Sequence, residues 1–441
     1  MTAQTLPAGR ATLAGIPSRR TATQVGIVVA IGVLPLLRPA GPGNTGLVDV
    51  GLVLVMLVAS LWLSGHGHVV RLPYALPVTL GLIAGALGGL AAGGGLLALT
   101  QDMFLFGWAV AIANLGRSPQ LLGTLLRAWA LSVTGWAALL LVGVVGHLSW
   151  LSGQSGLDGS RASLTFGDPN LAANYFLCGL FVLRAARVPR RPGLRVLCCA
   201  VIVTGIVLTG SNGGLSALLI ASVAGWLFRL VRSGRAAAAA VLACVLVLLG
   251  AVAVSTVDLA SVAERARQSA PLLRDSIGRE AESGSSRQTL VRESFSLWLQ
   301  HDSPVGLGPG GTKAALLADQ VPYVKEAHDD YVAAVVERGL LGGAALIALI
   351  VLVVVRSWRI GRRHALLPDF AAVIPRPELL GAAAAAVLIS GLFYEVLHFR
   401  HVWALFGLIA AVELWGRRPA AERETGAAPV TAPALPPGER G

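Results

Sequence analysis

The sequence predicts an all-α polytopic membrane protein with about twelve transmembrane helices and one large extracytoplasmic loop that contains short helices. Apolar runs of about 17–20 residues recur along most of the chain, which is the length that a helix needs to cross hydrocarbon. Charged residues make up only 13% of the chain, about half the proportion that is typical of soluble domains. The arginines stand in short clusters between the apolar runs, as they do in membrane proteins.

The predicted spans fall into two groups, separated by the large loop. They are placed at 22–37, 47–63, 74–92, 96–115, 128–147, 171–183, 196–208, 214–228 and 236–255, and then at 340–355, 379–394 and 402–415. The chain therefore divides into an N-terminal tail (1–21), nine spans (22–255), a loop (256–339), three spans (340–415) and a C-terminal tail (416–441). The composition of the last segment, rich in Ala, Pro, Glu and Arg, predicts disorder.

The arginine clusters also predict the orientation in the membrane. Short cytoplasmic connections carry an excess of Lys and Arg. The densest clusters, at 184–195, 229–235 and 356–363, lie on the side that both termini share, whereas the short connections on the other side carry Arg38, Arg161 and Arg400. Both termini are therefore predicted to be cytoplasmic, and the loop 256–339 to be extracytoplasmic.

Several kinds of partner are not expected. The net charge of +12 does not indicate nucleic-acid binding, because the arginines occupy the positions that membrane topology gives them. The spacing of the four cysteines (Cys178, Cys198, Cys199 and Cys244), all inside apolar runs, suggests neither disulfides nor zinc. No HExxH motif, paired-aspartate metal site or Walker sequence is present, so we expect a reaction without a cofactor or a metal ion.

The loop 256–339 differs from the rest of the chain. It is rich in charges, yet the stretches 288–299 and 331–336 are amphipathic, which predicts ordered helices with a turn near 283–286. Residues 306–311 match GxGxxG, but no strand precedes them and Pro309 interrupts them, so a dinucleotide site is not indicated. We expect these glycines, Gly308 and Gly310 among them, to form a tight turn that brings backbone close to substrate or to a neighbouring helix.

Residues 286–343 carry a family resemblance. They comprise Arg287 at the start of a helix, Trp298, Ser303-Pro304, Gly306, Gly308, Gly310, Ala327-His328-Asp329-Asp330-Tyr331, Glu337, Gly339 and Gly342. This succession resembles the O-antigen ligase and polymerase family, which are bacterial membrane enzymes that move glycans from polyprenyl diphosphate carriers. Asp329 stands where the family usually has asparagine.

Three further segments extend the resemblance over about 160–415. Residues 167–170 are similar to the family's NPN element, 209–214 to its SRgg element, and 403–408 to its closing segment. The arginine of the SRgg element, often credited with holding the donor diphosphate, is Asn212 here. An amide brings no charge and cannot replace a bidentate guanidinium. Either another arginine substitutes, with Arg265 and Arg279 as candidates, or the donor group differs.

The resemblance implies a glycosyltransferase of the bacterial cytoplasmic membrane. It would ligate or polymerise polyprenyl diphosphate-linked glycan at the outer face, with a glycan or lipid as acceptor. Arg287 would meet the leaving diphosphate, and His328, with an unperturbed pKa of about 6.5, suits a general base that Asp329 or Asp330 orients. The candidate substrate-binding residues are Asn170, Ser211, Asn212, Arg265, Arg279, Gly308, Gly310, Asp329, Asp330, Tyr331, Glu337, His398 and Arg400.

Each of these residues also has a structural interpretation. Arg287 could pair with Glu293, His328 could be a polar residue at a helix start, and Glu337 could brace the loop. The cluster of Glu395, His398, Arg400 and His401 indicates either a cavity or side chains that reach the interface. Gln101 and Asp102 are interpreted as the end of a helix rather than as a proton relay.

Two other functions remain open. A transporter or flippase of lipid-linked saccharides is the alternative, although transporters tend to show repeated halves and polar residues at mid-membrane. A sensor or assembly protein with a ligand-binding loop is the third possibility. An enzyme requires Arg287 and His328 to converge on one cavity, whereas a transporter does not.

Overall fold

The computed structural model describes residues 19–37, 46–65, 67–154, 159–277, 280–300, 304–312, 315 and 329–418. Over these residues the protein is all-helical, as the sequence predicts. Residues 1–18 and 419–441, which make up most of the two predicted tails, lie outside the described residues.

The helices that precede the large loop follow the predicted spans closely. They are α1 Arg19–Gly32, α2 Leu47–Gly65, α3 Ala75–Ala92, α4 Leu96–Leu115, α5 Pro119–Val145, the short α6 Ser149–Ser152, α7 Pro169–Ala186, α8 Pro192–Leu208, α9 Asn212–Arg232 and α10 Ala236–Thr256. The start of α5 precedes the predicted span at 128, because Ser118 caps it and Pro119 suits the first turn of a helix.

The loop and the C-terminal part are helical as well. Their helices are α11 Leu259–Arg267, α12 Pro271–Ser276, α13 Glu280–Gln300, α14 Asp330–Ile360, α15 Pro368–Val373, α16 Glu378–Ser390 and α17 Arg400–Gly416. The turn predicted near 283–286 is wrong, since α13 runs through these residues. The sequence has glutamates at 280 and 282, and acidic residues favour the first turn of a helix.

Among the described residues, six helices are long and apolar enough to cross a membrane. They are Val48–Gly65 within α2, then α3, α4, α5, α9 and α14. Four apolar stretches are shorter, at Thr23–Gly32, Pro192–Leu208, Ala236–Leu249 and Glu378–Ser390. The fold is that of a multi-pass membrane protein, and the count of about twelve crossings stays a prediction.

Helices α7 and α17 form the centre of the bundle and are buried along nearly their whole length. α17 packs against α4 and α14, and α7 packs against α5, α8 and α16. In the six candidate spans, by contrast, only 17% to 39% of the residues are buried. These outer helices therefore present apolar faces outward, as a lipid environment requires.

Candidate functional site

The glycine-rich segment 304–312 forms a tight turn. Gly306, Gly308 and Gly310 have φ values of 83°, 82° and 74°, which side chains with a Cβ rarely adopt. The backbone NH of Leu307 donates to the carbonyl of Val336 at 2.9 Å. The segment is thus a turn that packs against α14, in agreement with the sequence-based interpretation of its glycines.

Helix α14 breaks at Gly339, where φ is 63° and ψ is −166°. A Cβ at Gly339 would lie 2.0 Å from the carbonyl oxygen of Pro304, and one at Gly306 would lie 2.5 Å from the carbonyl carbon of Glu337. From the other side, a Cβ at Gly88 in α3 would lie 2.8 Å from the carbonyl oxygen of Val305. Three backbones therefore meet here, and only glycine permits so close an approach.

Asp329 and Tyr331 fix the beginning of α14. The Asp329 carboxylate accepts hydrogen bonds from the backbone NH groups of Tyr331 at 2.7 Å and Val332 at 3.1 Å, which makes it the N-cap. Asparagine caps helices about as well as aspartate. The aspartate found here in place of the family's usual asparagine therefore preserves the cap. The Tyr331 hydroxyl donates to the carbonyl of Leu388 at 2.8 Å and ties α14 to α16.

Backbone amides hold the carboxyl groups of Asp330 and Glu337. Asp330 is buried and accepts from the NH groups of Val396 at 2.9 Å and Leu397 at 3.3 Å. Glu337 accepts from the NH of Gly310 at 2.9 Å. Asp330 therefore links α14 to the segment 391–399, and Glu337 links α14 to the glycine turn.

Two ion pairs lie beside these carboxyl groups. Arg338 contacts Asp102 with 2.7 Å between nitrogen and oxygen, and His398 contacts Glu395 at 2.7 Å. Asp102 lies in the second turn of α4, which begins at Leu96, so its interpretation as the end of a helix is wrong. The sequence signal for the Asp102–Arg338 pair was the position of Asp102 inside an otherwise apolar run. A carboxylate at such a position is costly unless it is paired.

His398 carries a positive charge at neutral pH. It lies in segment 391–399, between α16 and α17. Burial alone lowers the pKa of His398, but the hydrogen bond and charge of Glu395, together with the charges of Asp330 and Asp102, raise it to about 10. The pair with Glu395 is therefore ionic over the physiological pH range.

The other basic members of the predicted C-terminal cluster point elsewhere. Arg400 is buried, pairs with Asp49 of α2 and donates to the carbonyl of Leu36 at 3.2 Å. The Nε2 atom of His401 lies 2.8 Å from Oδ1 of Asn174 in the core. Neither side chain reaches out to an interface, and a substrate contact of Arg400 stays a prediction.

The predicted segments 168–170 and 209–214 meet at a second polar region. The Ser211 hydroxyl donates to Oδ1 of Asn170 at 2.7 Å, and Nη2 of Arg161 lies 3.2 Å from the same oxygen. The Nε of Arg161 donates to the carbonyl of Thr209 at 3.1 Å. The structure therefore places a guanidinium against the turn that carries Asn212. In the sequence, Arg161 was noted only as a single charge in a short connection that is predicted to be extracytoplasmic.

Helix α12 of the loop docks beside this region. The Asp275 carboxylate accepts from the backbone NH of Ser160 at 2.8 Å and from its hydroxyl at 2.7 Å, and Asn212 donates to the carbonyl of Ser276 at 3.4 Å. Burial raises the pKa of Asp275, but the hydrogen bonds from Ser160 and Arg274 outweigh it and bring the pKa to about 2. The carboxylate therefore remains charged and holds α12 in place.

The remaining predicted residues are placed as follows. His328 and Arg279 lie outside the described residues. Arg287 belongs to α13, in which the side chains are described from Thr289 onward. Arg265 is exposed on α11, which packs on α12 and α13. Convergence of Arg287 and His328 on one cavity therefore stays a prediction.

Comparison with known proteins adds to this geometry. A family model described as O-Antigen ligase matches residues 197–347. The matched segment runs from α8 to the first half of α14 and includes Ser211, Asn212, the glycine turn and Glu337. No curated protein matches the chain. The matched segment supports an assignment to the O-antigen ligase and polymerase family, and the apolar helices are those of a multi-pass membrane protein.

Proposed function

We propose that this protein ligates or polymerises a polyprenyl diphosphate-linked glycan at the outer face of the bacterial cytoplasmic membrane, without a metal ion. The acceptor is a glycan or a lipid. One of its hydroxyl groups attacks the anomeric carbon, the bond from that carbon to the diphosphate breaks, and the hydroxyl proton passes to a base. The observation that carries this proposal is the meeting of the glycine turn with the kinked α14, inside the family-matched segment.

The leaving diphosphate needs positive charge near it. Asn212 has none, but Arg161 contacts the same turn and shares Oδ1 of Asn170 with the Ser211 hydroxyl. We therefore assign the diphosphate to Arg161 together with Arg287, in preference to Arg265, which is exposed on α11. A planar guanidinium suits this role because it can hold two phosphate oxygens at once.

His328 is assigned as the general base. In the sequence it directly precedes Asp329, the residue whose carboxylate caps α14. We expect purified wild-type protein to transfer labelled lipid-linked glycan in detergent, and to do so in the presence of a chelator. The variant His328→Ala should lose about 10²–10⁴-fold in rate, which is typical of a removed general base. Activity within a few-fold of wild type would remove His328 from this role.

The same assay tests the diphosphate assignment. Arg161→Gln should lower transfer by about 100-fold, in line with the loss of one donor to a developing negative charge. Adding Asn212→Arg should restore part of that activity, because the new guanidinium would arise beside the vacated position. Arg362→Gln, at an exposed position after α14, is the matched control and should behave as wild type. Full activity in Arg161→Gln would refute the assignment.

A further inference from the structure

A cavity of about 100 Å³ lies between α3, α4, α14 and the segment 391–399. Its charged and titratable lining residues are Asp102, Asp330, Glu337, Arg338 and His398. The rest of its lining is mostly apolar and includes Pro77, Val78 and Trp403. An apolar pocket with a few fixed polar groups is the usual form of a small-molecule site.

The charges of this cavity do not suit a diphosphate. Arg338 is matched by Asp102, and His398 by Glu395, each pair at 2.7 Å. Backbone amides hold Asp330 and Glu337, and no ion pair engages either of them among the described residues. When they are ionised, these two carboxyl groups repel a phosphate, and neither supplies the positive charge that a diphosphate requires.

The same groups suit sugar hydroxyls. A carboxylate is a strong acceptor for O–H donors, while an arginine supplies N–H donors to hydroxyl oxygens. Both carboxyl groups are held in place before a ligand arrives, which lowers the cost of binding. The cavity therefore offers several hydrogen-bond acceptors and one guanidinium donor that is paired with a carboxylate. These groups can bind the hydroxyl groups of a sugar.

The cavity and the proposed diphosphate site both contact the segment 391–399. Val396 and Leu397 donate to Asp330, which lines the cavity. Gly213, in the first turn of α9, packs against the same segment, since a Cβ there would lie 3.3 Å from the Tyr394 ring. This segment therefore connects the two regions.

We infer that this cavity is the subsite for the hydroxyl-bearing acceptor saccharide, an inference that rests on the proposed glycosyl transfer. The lipid-linked donor, with its charged diphosphate, binds on the α9 side. The acceptor sugar enters between α3, α4 and α14, and its hydroxyls donate to Glu337 and Asp330. Specificity for the acceptor then lies with α3, α4 and α14 rather than with helices α11 to α13.

Filling the cavity tests this directly. A Cβ at Gly81 would lie 3.8 Å from Ala345 and 3.9 Å from Arg338, in ordinary contact, so Gly81→Ala should be tolerated. Gly81→Leu extends into the cavity and should weaken binding of the acceptor saccharide about tenfold or more. Gly193→Leu, at an exposed α8 position with nothing within 4 Å of the added Cβ, is the matched control and should have no effect.

A second variant changes one carboxyl group without changing its shape. In Glu337→Gln the amide oxygen can still accept from Gly310, so folding should persist, while saccharide binding should fall about tenfold because an NH₂ group replaces the second acceptor oxygen of the side chain. The binding probes are the free oligosaccharide released by mild acid from the lipid-linked donor, and inorganic pyrophosphate. Pyrophosphate binding should be unchanged in both variants.

The outcomes separate the two proposals. Unchanged saccharide binding in Gly81→Leu and Glu337→Gln, or weakened pyrophosphate binding instead, would overturn the acceptor subsite. Transfer by a wild-type protein that does not bind the saccharide would also overturn it. A third result is possible: the wild-type protein binds the saccharide, the cavity variants abolish this binding, and the wild-type protein shows no transfer activity. That result would support the acceptor subsite and reject the proposed function.

Discussion

At the scale of single residues, the pair of Glu395 and His398 has the clearest electrostatic consequence. The imidazole is about one third exposed, at 36% of its side chain, yet three neighbouring carboxylates keep it protonated. The pKa of His398 is about 10, against about 6.5 for a histidine in an unfolded chain. Folding therefore favours proton uptake at this residue.

This shift predicts a pH dependence of stability. A pKa that is raised on folding gives stability that is complete below about pH 6.5 and is lost as the pH rises through about 10. We expect the melting temperature of wild-type protein in detergent, relative to that of His398→Gln, to decline over this interval. His364→Gln, at an exposed position after α14, should retain the wild-type profile. Parallel profiles for wild type and His398→Gln would contradict the ionic pair.

At the scale of elements, the kink of α14 and the glycine turn act as one unit. Leu307 donates to the carbonyl of Val336, and the Pro304 carbonyl lies where a Cβ of residue 339 would be. The kink therefore separates an N-terminal half-helix, which carries Asp330, Glu337 and Arg338, from the half that continues into the bundle.

We expect Gly339→Ala to damage this unit. A non-glycine residue with these backbone angles costs about 1–3 kcal/mol in strain, and the added carbon would also collide with the Pro304 carbonyl. Melting in detergent should shift downward and transfer activity should fall, because Glu337 and Arg338 would be displaced. Gly193→Ala, at an exposed helical position, should be neutral. Wild-type melting in Gly339→Ala would show that the kink is not required.

At the scale of the whole molecule, α14 carries ion pairs at two positions that are separated by an apolar stretch. Arg338 lies at the candidate site, and Arg356 pairs with Glu413 at 2.7 Å near the other end of the helix. The two residues are eighteen positions apart, which corresponds to roughly 27 Å of helix, close to the thickness of about 30 Å of a hydrocarbon core. Arg359 and Arg417 join Glu413 at that end. This separation supports an outward-facing site and cytoplasmic termini.

Reporter fusions test the orientation. A reporter placed after Ser269, in the break between α11 and α12, should report the outer side, while one placed after Arg418 should report the cytoplasm. The turn that the sequence predicted near 283–286 would have been another insertion point. Ser269 is preferable, because α13 is continuous through 283–286. Signals from the same side would refute the proposed topology.

The sequence by itself determined where most helices lie and indicated the family resemblance. Long apolar runs bounded by arginines place the spans, because a helix in lipid must satisfy its own backbone and bury no charge. The motif residues from 286 to 343 indicated the family that the match to residues 197–347 supports. The glycine turn was also predictable from the sequence, because the conformation of a turn depends mainly on the residues within it.

Only the tertiary structure decided which distant side chains meet. The contact of Arg161 with the turn before Asn212, the pairing of Arg338 with Asp102, and the burial of Arg400 against Asp49 join segments that are far apart in the sequence. Periodicity and composition record which face of a helix is apolar, but not which neighbour that face meets. Helix packing sets those neighbours, and it therefore decides which charges are paired and which remain to meet a substrate.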